Sequence, residues 1–370
     1  MPSLAERWLS FRNRLLAEPR FQKFAASTPG LRSIARQKAR GVFDLLSGFI
    51  YSQVLLSCVQ LDLFRMVKAT PLPLETLAAR ADLPLESARR LFDAAASLDL
   101  LCRLKDGRYG LGMNGAAILA NPGIEAMVAH NALLYDDLKD PVDFLRHPHR
   151  ATALSRYWAY AQADDPTHLS DEAVRDYSAL MSASQPLVAS EILDAYPFNA
   201  HQRLLDVGGG EGRFLCAAGA RFPQLDLMMF DLPAVAARAR QALADAGLGE
   251  RARAFGGNFF TDPLPAGADL VTLVRILHDH DDEKAELLLA NIRRALPQHG
   301  RLLIAEPFAD TRGAERMGDA YFGFYLMAMR SGRPRSQQTI EEMLRRSGFG
   351  SIKAVPTRVP LQTSLLVAQT

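Results

Sequence analysis

Residues 204–212, LLDVGGGEG, place four glycines in five positions directly after apolar residues. Glycine leaves room for a ligand to approach the backbone, and Asp206 and Glu211 add negative charge beside the bend. A diphosphate prefers a helix N-terminus without nearby carboxylates, whereas a cation is attracted to such carboxylates. Position 213 is Arg, so the GxGxxG spacing of dinucleotide sites is incomplete. The stretch therefore predicts a positively charged ligand.

A third acid, Asp231, ends the apolar run LMMFD, 19 residues beyond Gly212. A carboxylate at the end of the second strand can accept hydrogen bonds from both hydroxyls of a ribose. Its alternative role is to cap the helix that begins near Pro233. We group the adjacent Leu232 with the ligand-binding residues. A ribose site beside a cation site favours S-adenosyl-L-methionine, a nucleoside that carries an ammonium and a sulfonium group.

Asn258 and Phe259 follow the third strand in the stretch GGNFFTDPLP. At that place an amide side chain and a ring can reach an adenine. An ordinary turn before the TDPLP segment explains the same residues equally simply.

The stretch VRILHDHDDE, residues 274–283, leaves the fourth strand and contains an HxHxD spacing. Paired metal ions use such spacings, but the other histidines show no second cluster at a strand end. Asp281 and Asp282 also suit the start of a helix. We therefore expect no metal and interpret His278, at the carboxyl end of the strand, as a general base. His280 is expected to point elsewhere.

From residue 201 onward the pattern alternates between strands and helices, which predicts an α/β fold with a mainly parallel sheet. Strands are expected to end near Asp206, Phe230, Ala254, Leu277 and Glu306, and helices to span 212–221, 233–246 and 282–296. The runs SIKAVPTRVP and SLLVAQT predict an antiparallel hairpin at the sheet edge.

Residues 1–40 hold nine Lys and Arg but two acids, and Leu4, Trp8, Phe11 and Leu15 recur at helical spacing. Two interpretations stay open for this basic amphipathic arm. It either packs on protein, or it lies on an anionic membrane surface. Residues 41–67 predict an apolar helix buried between subunits.

Residues 68–115 read as two helices and a hairpin that turns at Asp106–Gly107, a winged helix-turn-helix pattern. Its second helix carries only Arg89 and Arg90 as cations, beside Glu86 and Asp93. A helix that reads DNA normally shows a basic face, so we expect a dimerisation role and no nucleic-acid partner. Residues 116–200 are expected to be helical, with breaks at 121–123, 140–141 and 163–166.

The composition suits a cytoplasmic enzyme. The 370 residues carry a net charge of +2, and the three cysteines form no CxxC pair. We see neither a signal-peptide pattern nor an apolar run long enough to span a bilayer.

Four stretches in this order, LLDVGGGEG, FDLPAV, GGNFFTDPLPAGADLVTLVRILHDHDDEK and RLLIAEP, resemble the S-adenosylmethionine-dependent O-methyltransferases of the caffeic acid, isoflavone and acetylserotonin type. The resemblance covers nearly the whole chain. It implies a class I methyltransferase sheet at 201–370, a helical segment at 116–200, a winged-helix dimerisation domain at 41–115 and a homodimer. The segments GVFDLLSGFIYSQVLLSCVQLDLF and VAHNALLYDDLKDPVDFL are similar to the bacterial branch that methylates acyclic carotenoids in photosynthetic membranes.

The resemblance also implies roles for single residues. Asp231 matches the ribose-binding acid, His278 the base, and Glu306 an acid that orients the base. Gly208, Gly209 and Gly210 match the turn under the methionine part of the donor, with Asp206 before them; Asn258 stands where an aspartate is frequent, and Arg275 where a lysine is common. The second orienting acid of the family corresponds to Pro334 in the segment GRPRS, so that carboxylate is missing here.

The acceptor is expected to be hydrophobic. The substrate pocket is expected to be built from helices in 120–190, within the region 116–200, and in 314–330. Met181 matches a position that contacts the acceptor. The segment 314–330, rich in Phe, Tyr and Met, offers Phe324 and Met327; a plain core role explains these two equally well. The product of the donor would be S-adenosyl-L-homocysteine. Two other functions stay open: methylation of a phenol, polyketide or tetrapyrrole, and a ligand-sensing DNA-binding regulator.

Overall fold

The computed structural model describes residues 2–158, 160, 166–168 and 171–370. The chain separates into two compact units, Met1–Ala117 and Ile118–Thr370. Most of the predicted break at 163–166 lies outside the described residues, whereas the other two breaks are confirmed, since helices begin at Pro122 and Pro141. The finer division into four segments stays a prediction.

The first unit is mainly helical. Its elements are α1 (Leu4–Ala17), α2 (Pro19–Ser27), α3 (Leu31–Gln60), α4 (Leu63–Val67), α5 (Leu74–Arg80), α6 (Leu85–Ser97), β1 (Leu101–Arg103), β2 (Tyr109–Leu111) and α7 (Met113–Leu119), which runs across the boundary. Strands β1 and β2 pair antiparallel, and Gly107 takes a φ of 86° in the turn between them. The predicted hairpin at Asp106–Gly107 is therefore confirmed.

The helix predicted at 41–67 is wrong at both ends. Helix α3 begins ten residues earlier, at Leu31, and ends at Gln60. Asp62 then adopts a left-handed conformation, with a φ of 54°, which separates α3 from α4. The stretch CVQLDLFRMV is apolar at most positions on both sides of Asp62, so the periodicity gave no clear signal for the break.

Within one chain this helix is mostly exposed, and its burial between subunits stays a prediction. By length and composition α3 could cross a membrane, with a mean hydropathy of 1.6 in its most apolar window, although the core helix of a soluble protein passes the same test. Only 11% of that window is buried within the chain. Phe43, Leu45 and Phe49 are more than half exposed. The expectation that no segment is long and apolar enough to span a bilayer is corrected accordingly.

The second unit carries a seven-stranded sheet with helices. Its helices are α8 (Pro122–Asp137), α9 (Pro141–Arg146), α10 (Ala153–Tyr157), α11 (Asp171–Ala195), α12 (Arg213–Arg221), α13 (Pro233–Asp245), α14 (Asp282–Ala295), α15 (Phe322–Met329) and α16 (Gln337–Arg346); its strands are β3 (Arg203–Val207), β4 (Asp226–Asp231), β5 (Ala252–Gly256), β6 (Leu270–Val274), β7 (Arg301–Glu306), β8 (Ile352–Val355) and β9 (Ser364–Gln369). The strand order is β5-β4-β3-β6-β7-β9-β8.

Strands β3 to β7 are parallel, and β9 joins β7 and β8 antiparallel. The mainly parallel sheet and its antiparallel edge hairpin are thus confirmed. The chain runs outward from β3 to β5 and returns to β6 on the other side of β3. This reversal opens a crevice at the carboxyl ends of β3 and β6, where such sheets bind ligands.

Both faces of the sheet are covered. Leu204 packs in one buried cluster and Leu205 in the other, because successive side chains of a strand point to opposite faces. Each fully buried leucine contributes roughly 1.5–3 kcal/mol relative to an exposed one, so the strands and their loops are held on a rigid frame.

Strand β6 ends earlier than predicted. It stops at Val274, not near Leu277, and Arg275 follows with a φ of 59°. Leu277–Asp279 then form a single 3₁₀ turn before α14. The apolar sequence LVRIL hides this change because Ile276 and Leu277 still pack into the interior.

Candidate active site

A cavity of about 320 Å³ lies at the carboxyl ends of β3, β4 and β6, at the low end of the range for small-molecule sites. Ten residues proposed from the sequence line it: Met181, Asp206, Gly208, Gly209, Gly210, Asp231, Leu232, Asn258, Phe259 and Arg275. Residues that are far apart in the chain therefore line the same cavity. His278, Glu306, Phe324 and Met327 are not among the described residues that form this wall.

The glycine bend follows β3 in a conformation that side chains disfavour. Gly208 has a φ of 72°, and a Cβ there would lie 2.5 Å from Ile276. Gly210 has a φ of 58° and open space around its Cα. The bend therefore leaves the backbone accessible from the cavity, as a bound ligand requires.

Two carboxylates stand beside this bend, of which Asp206 is buried and Asp231 is partly buried. Asp206 accepts a hydrogen bond of 2.6 Å from the hydroxyl of Thr272. Asp231 Oδ2 accepts the backbone N–H of Gly210 at 2.8 Å, and its Oδ1 accepts that of Leu232 at 2.7 Å. Leu232, not Asp231, is the N-cap residue of α13, so Asp231 does not cap the helix in the usual way.

Burial raises the pKa of both acids. The pKa of Asp206 rises to about 7, because desolvation and the nearby Asp231 outweigh the hydrogen bond from Thr272. The pKa of Asp231 rises to about 6, because desolvation outweighs the two backbone N–H groups. A bound cation would favour the ionised form of both carboxylates, which burial disfavours. These residues fit a donor with an ammonium and a sulfonium group.

Glu211 contributes less free charge than the sequence suggested. Its Oε1 lies 3.3 Å from Arg238, and its Oε2 accepts a hydrogen bond of 2.6 Å from the hydroxyl of Ser182. The attraction for a cation therefore comes mainly from Asp206 and Asp231.

Asn258 uses its side chain within its own turn. Its Oδ1 accepts the backbone N–H of Phe260 at 3.0 Å, which is the alternative that the sequence left open. Phe259 and Phe260 both line the cavity. Their rings contact the His280 ring edge-on, with centroid distances of 5.6 Å for Phe259 and 5.0 Å for Phe260. His280 thus faces the cavity, contrary to the prediction that it points elsewhere.

Arg275 connects the cavity to the long helix α11. Its guanidinium donates to the hydroxyl of Ser184 at 2.8 Å, to Oε1 of Gln185 and to the carbonyl of Met181 at 3.3 Å. Burial lowers the pKa of Arg275 to about 10, although Asp279 opposes the shift. The residue acts as a brace between β6 and the helix that carries Met181.

His278 is buried between two carboxylates. Its Nδ1 lies 3.3 Å from Glu306 Oε2, and its Nε2 lies 3.2 Å from Asp279 Oδ1. Its backbone N–H also donates to Glu306 Oε2 at 3.1 Å. Burial by itself lowers the pKa of His278, but the charges of Asp279 and Glu306 raise it to about 10. The sequence did not identify Asp279, although it adjoins the histidine.

Aromatic side chains form another part of the wall. Trp158, Tyr160 and Tyr177 line the cavity and contact one another, with centroids 5.2 to 5.7 Å apart. Sequence reasoning missed all three. Their only local signal was the aromatic run RYWAY, since Tyr177 approaches from a separate helix.

Phe324 and Met327 lie elsewhere. Phe324 is 37% exposed and stacks on Phe144 at 6.3 Å, and Met327 packs against the buried cluster of α15. The position of Met327 fits the core role that the sequence left open, whereas Phe324 lies at the surface. Among the described residues no group of three or more His, Cys, Asp and Glu is placed to hold a metal ion.

Comparison with known proteins agrees with this geometry. The O-methyltransferase domain matches residues 135–350, and the O-methyltransferase dimerisation domain matches residues 43–120. Demethylspheroidene O-methyltransferase of Cereibacter sphaeroides is 44% identical over 96% of this chain and 93% of that protein. The protein of the same name from Rhodobacter capsulatus is 37% identical over 98% of this chain and 90% of that protein.

Among solved structures, human N-acetylserotonin methyltransferase in complex with S-adenosylmethionine superimposes with a TM-score of 0.73, at 22% identity, over 90% of this chain and 98% of that chain. This likeness shows a shared fold. With the family match over more than half of the chain, it identifies the architecture as that of class I methyltransferases. The chain belongs to the S-adenosylmethionine-dependent O-methyltransferases and carries their dimerisation domain.

Proposed function

We propose that this enzyme methylates a hydroxyl group of an acyclic carotenoid, the tertiary 1-hydroxyl of demethylspheroidene or hydroxyneurosporene. The observation that carries the proposal is the near-full-length identity to two demethylspheroidene O-methyltransferases. The aromatic wall of Trp158, Tyr160 and Tyr177 supports it, because such rings suit the end of an apolar polyene.

The donor site is proposed to hold S-adenosyl-L-methionine in an extended pose. Asp231 accepts the ribose hydroxyls, Asp206 and the bend Gly208–Gly210 hold the methionine part, and Phe259 contacts the adenine. Leu232 and Asn258 complete this wall, and Arg275 fixes it to α11. When bound, the donor supplies an activated methyl group, so these residues contribute mainly by positioning.

His278 is proposed to remove the hydroxyl proton of the acceptor, with Glu306 orienting the ring. A tertiary alcohol is a very weak acid, so prior ionisation is unfavourable and the proton leaves as the methyl group arrives. The imidazole must be neutral to accept it. Proton removal by a positioned base typically contributes about 10²–10⁴ in rate, or roughly 3–5 kcal/mol.

The acceptor is proposed to enter beside Met181 and the aromatic wall. The small volume of the cavity suits the donor together with one end of a polyene, so the rest of a long acceptor would lie outside it. Phe324 and Met327 are not on the wall, and we propose that they contribute to packing near its edge.

Substrate identity is tested with the purified enzyme, a labelled methyl donor and acceptors in detergent micelles. Demethylspheroidene should become labelled, whereas an acetylated hydroxyindole and a hydroxyphenazine should not. If a phenol is labelled at a comparable kcat/KM, the enzyme is a tailoring methyltransferase for phenolic acceptors and the carotenoid proposal is wrong. Omission of the acceptor gives the background of the assay.

We further propose a homodimer in the cytoplasm that touches the inner or photosynthetic membrane through residues 1–40. Within this arm, Leu4, Trp8 and Phe11 are more than half exposed on α1, and the nine basic residues of the arm outnumber the two acids. Apolar area together with net positive charge favours an anionic lipid surface. The family model for dimerisation begins at residue 43, which leaves this arm outside it. No nucleic-acid partner is proposed.

A further inference from the structure

Each nitrogen of the His278 ring lies within 3.3 Å of a carboxylate oxygen, although the Nδ1 contact does not have hydrogen-bond geometry. Glu306 approaches Nδ1 from β7, and Asp279 approaches Nε2 from the turn that also carries the histidine. Neither side is open to bulk water, because the His278 side chain is 7% exposed, that of Asp279 is 15% and that of Glu306 is 1%. The ring of Phe322 closes a further side at a centroid distance of 5.6 Å.

Asp279 is itself held in place. The hydroxyl of Tyr160 donates to Asp279 Oδ2 at 2.8 Å, and the hydroxyl of Ser331 donates to the backbone carbonyl of Asp279 at 2.6 Å. Asp279 and Tyr160 both line the cavity, whereas His278 is not among the described residues of its wall. Asp279 therefore links the cavity wall to the histidine.

The loop with Pro334 does not supply a carboxylate. It supplies Arg335 instead, whose buried guanidinium donates to the carbonyls of Leu277 at 2.8 Å and of His280 at 2.6 Å. These bonds fix the two ends of the turn that bears His278 and Asp279. Rigid backbone on both sides explains how the aspartate can hold the ring from its own turn.

We propose that Asp279, anchored by Tyr160, is the second positioning carboxylate of His278 and takes the role that Pro334 cannot fill. The inference rests on the proposed function of His278 as base. Asp279 is a positioning residue here, because it acts on the reaction through the imidazole.

The charges around the ring predict the direction in which kcat changes with pH. Asp279 and Glu306 stabilise the imidazolium, and the nearby His280 opposes it when charged. Because only the neutral ring can accept a proton, kcat should rise with pH toward the alkaline range. Removing the charge of Asp279 destabilises the imidazolium, so the rising limb should move to lower pH.

The test compares the pH dependence of kcat for wild type, Asp279→Asn and the matched control Asp281→Asn. We expect the limb of the Asp279 variant to shift by at least about one pH unit, a tenfold change in proton affinity. Asp281 accepts the backbone N–H of Gly332 at 3.1 Å and forms no ion pair with His278, so its variant should keep the wild-type limb. Equal limbs in wild type and Asp279→Asn would overturn the proposal.

A second readout is independent of acceptor and turnover. The His278 ring resonances, assigned by their loss in His278→Gln, are titrated by NMR with S-adenosyl-L-homocysteine present. Wild type should keep its imidazolium above about pH 8, and Asp279→Asn should lose it at lower pH. A wild-type value near 6.5 contradicts the proposal even if the variant does not fold. Failure of the carotenoid assay alone leaves this result unaffected.

Discussion

Gly210 and Asp231 connect the first two loops of the sheet, since the backbone N–H of Gly210 donates to Asp231 Oδ2 at 2.8 Å. The bond holds the glycine bend and the acid that is proposed to bind ribose in one fixed arrangement. Each oxygen of Asp231 accepts one backbone N–H and keeps further acceptor capacity, and the residue lines the cavity.

Asp231→Ala should weaken binding of S-adenosyl-L-homocysteine by at least about 10-fold, because even one hydrogen bond to a charged group contributes about 1.5–3 kcal/mol. Titration calorimetry measures the affinity. Asp226→Ala is the matched control, since Asp226 begins the same strand at its exposed end and pairs with Arg203. Equal affinities for the two variants would remove Asp231 from the donor site.

His278→Ala should lower kcat by about 10²–10⁴-fold and leave donor affinity within a few-fold of wild type. The reason is that the ring is proposed to act on the acceptor proton and is not among the described residues that line the cavity. His280→Gln serves as comparison, because His280 contacts the rings of Phe259 and Phe260, which lie on the wall of the cavity. That variant should affect donor affinity more than kcat; the reverse result contradicts the assignment of the base.

Donor binding should release protons near pH 6.5. Burial raises the pKa of Asp206 to about 7 and that of Asp231 to about 6, so both are partly protonated there. A bound cation favours their ionised forms and lowers both pKa values. Calorimetry in buffers of different ionisation enthalpy should show release near pH 6.5 and none from these acids above about pH 8.5. Asp206→Asn should reduce the release, and a release independent of pH argues against this linkage.

The same shifts affect folding in the unliganded protein. For a carboxyl group whose pKa is raised in the folded state, the unfolded state loses its proton first as pH rises. Stability is therefore greater below the unfolded pKa near 4 and falls as pH rises through about 6 to 7. Urea unfolding of the ligand-free enzyme at a series of pH values measures this, and Asp206→Asn should flatten the dependence.

Arg335→Met should destabilise the fold by about 3–5 kcal/mol, because it leaves buried carbonyls of Leu277 and His280 without their donor. Arg333 provides a matched control: it also pairs with Asp282, but its side chain is 57% exposed. Arg333→Met should cost no more than about 1 kcal/mol. Denaturant titration followed by circular dichroism measures the free energy of unfolding of both variants. Similar losses of stability in Arg335→Met and Arg333→Met would show that burial of the arginine does not determine its contribution.

The basic arm can be tested with the two tryptophans of the chain. Trp8 is 64% exposed and Trp158 is 4% exposed, so Trp158→Phe leaves Trp8 as the reporter. Vesicles rich in anionic lipid should shift its emission to the blue, whereas neutral vesicles or high salt should not. Trp8→Ser with Phe11→Ser should abolish sedimentation with anionic vesicles. Binding that survives this double change excludes α1 as the contact.

Much of the second unit could be predicted because its signals are local. Strand β3 ends in DVGGGEG, and β4 ends in an acid before Pro233, so apolar runs and turn residues mark the boundaries. Prediction failed where tertiary contacts override local pattern. Helix α3 begins earlier than predicted. It is mostly exposed within one chain, and nothing in a single sequence tells an apolar face that meets a partner from one that meets the core.

By itself the sequence determined the sheet, the glycine bend with Asp206 and Asp231, and the choice of a cationic nucleoside over a diphosphate ligand, because each is signalled by short local stretches of residue types. Only the tertiary structure decided that Asp279 and His280 line the cavity while His278 does not. Arg275 turns the chain out of β6 with a φ of 59°, and the 3₁₀ turn after it ends the side-chain alternation of a strand. The approach of Trp158, Tyr160 and Tyr177 to the same cavity likewise follows from packing between separate helices, which no local pattern encodes.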